Sequence, residues 1–134
     1  MAYRYEWYVR FGQVDLARTI YYPRLFDIVH HGVEDFLREL GYSFRELIFD
    51  RGVGLPIVAA EAEYLAPIEY GRMINISLIP EVGKSSIRFE STGEIDGTNV
   101  FEAVETHAAV DMNTFKSIPL PDDIRDALKS YDDG

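Results

Sequence analysis

The hydrophobic positions of this chain follow two different periods. In the first third, apolar side chains recur at the spacing of an α-helix, and charged residues occupy much of the remaining circumference. The apolar positions of this segment are Leu25, Val29, Val33, Phe36 and Leu40. After Pro56, apolar and polar residues alternate instead, which is the period of a β-strand. The alternating segments are residues 57–66, 73–79, 86–95 and 100–112, and residues 3–11 carry a similar mixture of aromatic and charged positions.

The boundaries between these segments carry the residues expected there. Pro23 occupies the favoured first turn of the helix, and Gly41 supplies its C-terminal end. Turn signals at residues 67–71, 80–83 and 96–97 separate the later strands. Strands joined by short turns form an antiparallel sheet, and one long helix is the natural cover for its apolar face. We therefore predict an α+β fold, with shorter helices over residues 43–50 and 121–130.

Gly32 lies inside the predicted long helix. Glycine in a helix interior is less favourable than alanine by about 1 kcal/mol, so its presence requires a reason. We expect the helix to pass close to another backbone at this point, namely that of the sheet.

The length and composition are those of a single domain comprising residues 1–134. With 47% hydrophobic residues, the chain can bury a core without disulfides or metal ions. It has no cysteine, which excludes a disulfide framework, a zinc-thiolate site and a cysteine nucleophile. No apolar stretch approaches the roughly 18 residues that a membrane-spanning helix requires, and the charged amino terminus does not resemble a signal peptide. We expect a cytoplasmic protein with no membrane partner.

The charge of the chain narrows the possible partners. There are 23 acidic and 13 basic residues, so the formal net charge is -10, and this charge disfavours binding to nucleic acids. Only three of the basic residues are lysines: Lys84, Lys116 and Lys129. An acidic, lysine-poor surface is typical of halophilic proteins, although the same charges would also serve ordinary solubility. The sequence leaves both interpretations open.

Three segments of the chain together resemble one enzyme family. They are VRFGQVDLARTIYYP at residues 9–23, GVGLPIV at residues 52–58 and YLAPIEYG at residues 64–71. Their residues and order resemble hot-dog-fold acyl-CoA thioesterases of the 4-hydroxybenzoyl-CoA thioesterase type. Two positions depart from the family pattern, because Gln13 replaces a frequent acidic residue and Arg18 a common glycine. The resemblance implies a curved antiparallel sheet of about five strands wrapped round the long helix, and a homodimer or homotetramer with active sites at the subunit interface.

The resemblance also implies hydrolysis of a small aryl- or acyl-CoA thioester, with Asp15 as nucleophile or general base. An isolated aspartate in a loop usually only stabilises a turn, but the position of Asp15 in the motif favours catalysis. The N-terminus of a helix presents free N–H groups to an anion. Because Pro23 has no N–H, the amide of Tyr22 is the candidate donor to the oxyanion, and the family assigns the same role to this position. The rings of Tyr21 and Tyr22 are candidates for the acyl pocket, with core packing as the alternative.

Binding of coenzyme A requires basic or polar groups for its phosphates. The candidates are Lys84, Ser85, Arg72 and Arg88, and each could equally be an ordinary solvated side chain. Coenzyme A enters as part of the substrate, so we expect no separate cofactor and no metal ion.

Other functions remain as alternatives. A non-catalytic acyl-CoA-binding or regulatory module would bind the same ligand without hydrolysis. An acyl-thioester hydratase or dehydratase would require a histidine and a carboxylate at the site. His30 and His31 project about 100° apart on the helix, which prevents a paired metal site, and His107 stands alone in a strand. We expect these histidines to be surface or interface residues. Glu34 and Asp35 on the helix are the fallback catalytic residues.

Overall fold

A five-stranded antiparallel sheet forms the body of the fold. The computed structural model describes residues 1–132. The strands of the large sheet are β1 (Tyr3–Tyr8), β3 (Ile57–Tyr64), β4 (Met73–Val82), β5 (Ser86–Ile95) and β6 (Thr98–Ala108), in the spatial order β1-β4-β5-β6-β3. Two short strands, β2 (Val53–Gly54) and β7 (Val110–Asp111), pair separately. Every neighbouring pair is antiparallel, as the succession of strands predicts.

The turn between β5 and β6 shows how the sequence determines a hairpin. Asp96 and Gly97 both adopt positive φ, at 49° and 82°. A two-residue turn with this geometry matches the right-handed twist of the strands, and Asp-Gly is among the sequences that favour it. The predicted short hairpin at this position is confirmed.

Helix α1 (Arg24–Glu39) covers one face of the sheet. Its buried positions include Leu25, Val29, Val33 and Phe36, which are four of the five residues in the predicted apolar stripe. The strands contribute alternate residues to the same core: in β5, Ile87 and Phe89 are buried, and Arg88 between them is not. The α+β architecture and the single long helix agree with the prediction.

Gly32 faces a side chain, so the prediction of a backbone contact is wrong. A Cβ atom at this position would lie closer than 3 Å to the ring of Tyr5 on β1. The Tyr5 hydroxyl donates to the carbonyl of Ile28, one turn earlier on α1, at 2.9 Å. Burial raises the pKa of Tyr5, which keeps its hydroxyl protonated as the donor. The glycine therefore provides space for an aromatic ring between helix and sheet.

The two shorter helices that the sequence predicts both pack into the same cluster of core residues. One is a π-helical turn (Glu46–Asp50) that continues the helical residues 44–45; Ser43 precedes them, and its hydroxyl accepts the Glu46 amide at 3.1 Å in the manner of an N-cap. The other is α2 (Asp122–Lys129). Arg51 joins them, because its guanidinium donates two hydrogen bonds to Asp123, at 2.8 and 3.0 Å.

Strand β3 is an edge strand with little cover. It pairs with β6 on one side, and within residues 1–132 no strand pairs with its other side. Seven of its eight residues are exposed. The apolar side chains among them include Ile57, Val58 and Tyr64. An uncovered edge of this kind offers main-chain groups and apolar surface to another strand.

Of the helices described, none is long and apolar enough to cross a bilayer.

Candidate active site

Asp15 lies at the tip of a narrow loop between β1 and α1. Val14 and Ile20 pair across the base of this loop, and the Asp15 amide donates to the Thr19 carbonyl at 3.1 Å. One carboxylate oxygen of Asp15, Oδ1, accepts the Ala17 amide at 2.9 Å. The side chain is exposed, and no partner for Oδ2 lies among residues 1–132. The loop therefore orients the carboxylate through one oxygen and leaves the other available to a substrate or a water molecule.

The two departures from the family pattern have structural roles in this loop. The side-chain oxygen of Gln13 accepts hydrogen bonds from Trp7 Nε1 at 3.0 Å and from the Arg10 amide at 2.9 Å. An uncharged acceptor thus serves both donors at this position. Arg18 adopts a φ of 69°, a left-handed conformation that disfavours residues with a Cβ by roughly 1–2 kcal/mol. Glycine, the residue that the family resemblance leads one to expect here, would adopt this conformation without that cost.

The amide of Tyr22 is free at the start of α1. The Tyr21 amide donates to the Gln13 carbonyl at 2.8 Å, and the Tyr22 carbonyl accepts the hydroxyl of Tyr64 on β3. No acceptor for the Tyr22 amide is present in the described part of the chain. Pro23 is the N-cap of the helix. An unbonded N–H at a helix N-terminus is a suitable donor to a developing negative charge.

The segment 68–71 holds the loop against the sheet. The Ile20 amide donates to the Ile68 carbonyl at 2.8 Å, and the Tyr70 amide donates to the Arg18 carbonyl at 3.2 Å. The Gly71 amide donates to the carbonyl of Val9, the residue after β1, at 2.9 Å. These contacts explain why the first and third sequence motifs occur together: the main chain of the third motif is hydrogen-bonded to the main chain of the first.

Exposed aromatic and aliphatic side chains surround the loop. The exposed fractions of Tyr21 and Tyr22 are 48% and 65%, and their rings meet edge to face at 5.6 Å. Leu16 and Leu65 are also exposed. The two tyrosines are therefore not part of the core of this chain, and the surface that they form is suited to an apolar acyl group or to a second subunit.

The candidate residues for coenzyme A are divided between the two ends of the sheet. Arg72 directly follows Gly71 and lies beside the loop, where it pairs with Asp96 and, at 4.0 Å, with Glu69. Lys84 and Ser85 follow the other end of β4, which is ten residues or about 30 Å away. Arg88 pairs with glutamates on the outer face of the sheet. Asp15, Tyr21 and Tyr22 thus belong to one segment, and Arg72 adjoins the residues that bond to this segment, whereas the other three candidates lie elsewhere on the sheet. Their roles stay predictions.

The expectation for the histidines is wrong for His107, which is buried in an ionic cluster. His107 and Glu105 are 1% and 4% exposed, and they lie beneath the half-buried His30 of α1. His30 Nδ1 lies 3.0 Å from Glu105 Oε1, and His107 Nε2 lies 3.5 Å from Glu105 Oε2. Burial acts to raise the pKa of Glu105, but its interactions with the two histidines outweigh burial and lower it. The interaction with Glu105 raises the pKa of His30 against the effect of burial.

Sequence reasoning missed this cluster, although the sequence contains a signal for it. Phe101, Ala103, Glu105 and His107 alternate along β6, so all four face the core. Two ionisable residues on the inward side of a strand predict a partner buried with them. His30 supplies that partner, eight residues after Tyr22. Eight residues of helix span about 12 Å, so the cluster lies away from the Asp15 loop.

The fold and the comparisons with known proteins together define the class of this protein as a hot-dog thioesterase. Residues 9–128 match the family described as the thioesterase-like superfamily. The chain belongs to this superfamily. The fold, the family and the enzyme class predicted from the sequence are thereby confirmed, and the class is that of a thioester hydrolase.

Individual relatives extend the comparison over nearly the whole chain. A 1,4-dihydroxy-2-naphthoyl-CoA hydrolase of Synechococcus elongatus is 31% identical over 129 residues, which cover 95% of each chain. The structure of a gentisyl-coenzyme A thioesterase is 28% identical, covers 94% of this chain and 99% of its own, and superposes with a TM-score of 0.84. A 1,4-dihydroxy-2-naphthoyl-CoA thioesterase of Synechocystis shares the fold, with a TM-score of 0.89 at 20% identity and 96% coverage of both chains.

Proposed function

We propose that this protein hydrolyses acyl-CoA thioesters and that its substrate carries an aromatic acyl group. The observation that carries the proposal is the unbonded amide of Tyr22 at the start of α1, beside a loop that leaves one oxygen of Asp15 free. The aromatic preference is supported by the names of the relatives, two of which act on a dihydroxynaphthoyl or a gentisyl thioester. Because coenzyme A belongs to the substrate, the proposal includes a cytoplasmic location and no separate cofactor.

The proposed chemistry needs one group on each side of the acyl carbon. On one side, Asp15 either removes a proton from the attacking water or attacks the carbonyl carbon itself, which forms a mixed anhydride that water then hydrolyses. On the other side, the Tyr22 amide donates to the carbonyl oxygen as it becomes negative. In both routes the C–S bond breaks, the thiolate of coenzyme A leaves and takes up a proton, and the acid is released.

We further propose that the working form is a homodimer that pairs through β3. The support is the unpaired edge of this strand and its exposed apolar side chains. Two copies related by a two-fold axis would align their β3 strands antiparallel. The Tyr64 end of one strand, beside Tyr22, would then approach the Ile57 end of the other. Such pairing would cover the apolar surface around each loop and place both sites at the interface.

The first experiment measures thiol release from a panel of aryl-, short-chain and long-chain acyl-CoA esters. We expect turnover of aryl-CoA by the wild type, and a loss of at least about 100-fold in kcat for Asp15→Asn, the range for removal of a general base. The matched control is Asp50→Asn, an exposed aspartate in the π-helical turn. Full activity of a folded Asp15→Asn variant would contradict the assignment. Saturable acyl-CoA binding with no thiol release from any ester would instead indicate a binding module.

The second experiment measures the mass of the assembly in solution by light scattering. We expect Val58→Lys to produce monomers, because a charge would lie on the proposed strand edge. Met73→Lys is the control: Met73 is also an exposed apolar residue, but it lies on β4, which β5 and β6 separate from β3. A wild-type monomer, or a Val58→Lys variant with unchanged mass, would contradict the β3 interface.

A further inference from the structure

We propose that His30, Glu105 and His107 form a binding site for one divalent transition-metal ion, with Zn²⁺ as the best match. One ligand atom from each residue can be chosen so that all three lie within 4.8 Å of one another. Two imidazoles and one carboxylate are a ligand set that zinc uses in proteins. The cluster is about 12 Å along α1 from Tyr22, so its test does not depend on the proposed hydrolysis.

The tautomer of His107 is determined by its surroundings. Its Nδ1 lies 2.6 Å from the carbonyl oxygen of Leu55. A carbonyl oxygen only accepts hydrogen bonds, so Nδ1 must carry the proton. In the neutral ring, Nε2 then presents a lone pair. A metal-binding imidazole normally has this arrangement, in which the second nitrogen donates to a backbone carbonyl.

The unprotonated nitrogen of His107 lies close to a carboxylate oxygen. Nε2 and Glu105 Oε2 lie 3.5 Å apart, both side chains are more than nine-tenths buried, and neither atom has a hydrogen-bond partner within residues 1–132. Two acceptors facing each other away from water are unfavourable unless a positive charge lies between them.

The separation of these two atoms favours a metal ion over a proton. A charge-assisted N–H···O hydrogen bond is about 2.7–2.9 Å long, which is shorter than the 3.5 Å found here. Two ligands of a tetrahedral zinc ion, each about 2.1 Å from the metal, are about 3.4 Å apart.

His30 completes the ligand set and provides access. Its Nδ1 lies 3.0 Å from Glu105 Oε1, and its side chain is 39% exposed, so an ion can enter from solvent and keep a water ligand on that side. Metal binding would release the proton that His30 and Glu105 share. A bound ion would connect α1 to β6 and stabilise the folded chain.

The experiment titrates chelator-treated, dialysed protein with Zn²⁺ by calorimetry and follows the Tm, with Co²⁺ as a spectroscopic probe. We expect one ion per chain, a Tm that rises with Zn²⁺ concentration, and visible Co²⁺ absorption bands of a four-coordinate site. His30→Ala should weaken binding by at least about 10-fold. His31→Ala, which removes the adjacent exposed histidine, should not change it. Glu105→Gln serves as a second variant if His30→Ala does not fold.

Two results would overturn the proposal. In the first, wild-type protein binds no stoichiometric Zn²⁺ and its Tm does not change, which would mean that a proton lies between His107 and Glu105. In the second, His31→Ala weakens binding as much as His30→Ala does, which would indicate that the ion binds to the surface of the helix.

Discussion

Substitution of Gly32 by alanine has opposite expected effects in an isolated helix and in this fold. In an isolated helix, alanine is more favourable than glycine by about 1 kcal/mol. In this protein, the added Cβ would lie closer than 3 Å to the ring of Tyr5. The ring of Tyr5 extends from β1 and packs against α1, and its hydroxyl donates a hydrogen bond to the Ile28 carbonyl. The ring therefore cannot move without losing packing and that hydrogen bond.

Three contributions determine the size of this destabilisation: two lower the free energy of unfolding and one raises it. Overpacking of a core by a methyl group typically destabilises by about 1–3 kcal/mol. Loss of the Tyr5 hydrogen bond destabilises by about 1 kcal/mol more. The helix preference of alanine offsets a similar amount. We therefore expect Gly32→Ala to lower the free energy of unfolding by about 1–3 kcal/mol. For a chain of this size, the Tm should fall by about 4 °C for each kcal/mol.

The assay is urea unfolding followed by circular dichroism, at one fixed protein concentration because the protein is expected to associate. A double-mutant cycle supplies the control. When Tyr5→Ala has removed the ring, Gly32→Ala should stabilise by about 1 kcal/mol. Tyr5→Phe keeps the ring and isolates the contribution of the hydroxyl. If Gly32→Ala stabilised the wild-type background, or had the same effect in both backgrounds, the packing argument would be refuted.

Four further predictions concern charge and backbone. Asp123→Asn should destabilise by about 0.5 kcal/mol at pH 7, since the pair with Arg51 is partly exposed. Because the hydrogen bond from Arg51 lowers the pKa of Asp123, this contribution is present above about pH 4 and should vanish in acid-unfolding curves as the pH falls through the lowered value. Arg72→Ala should raise KM for acyl-CoA with little change in kcat, whereas Arg38→Ala should change neither in the same assay. Arg18→Gly should raise the free energy of unfolding in urea slightly, by about 0.5 kcal/mol, because relief of the left-handed φ exceeds the entropic cost of glycine. Molar salt should raise the wild-type midpoint, because it screens the net charge of -10.

The sequence predicted the elements of the fold well, because local periodicity determines them. The stripe that begins at Leu25 becomes α1, which ends one residue before Leu40, and the Asp96-Gly97 pair becomes a tight hairpin. The partner of Gly32 could not be predicted in the same way. A glycine in a helix shows that something approaches closely, but the approaching group is determined by how β1 packs, and that is a property of tertiary structure.

The candidate site was predictable where a continuous motif encodes it. The loop with Asp15 and the start of α1 are adjacent in the sequence, so their proximity follows from chain connectivity. Lys84 and Arg72 are also near each other in sequence, yet strand β4 separates them by about 30 Å. The cluster of His30 and Glu105 shows the reverse case: 75 residues separate them in sequence, and the fold brings them to 3.0 Å.

The loop that carries Asp15 is held almost entirely by its own main chain. Its backbone hydrogen bonds run to Thr19, to Ile68 and to Tyr70, whereas the side chains of Leu16 and Ala17 are exposed and contribute nothing to its path. Mutations at these two positions can accumulate without changing the direction of the carboxylate. On the proposed function, the backbone alone sets the direction of the Asp15 carboxylate, so substitution of the neighbouring side chains would change the surface met by the acyl group without moving that carboxylate.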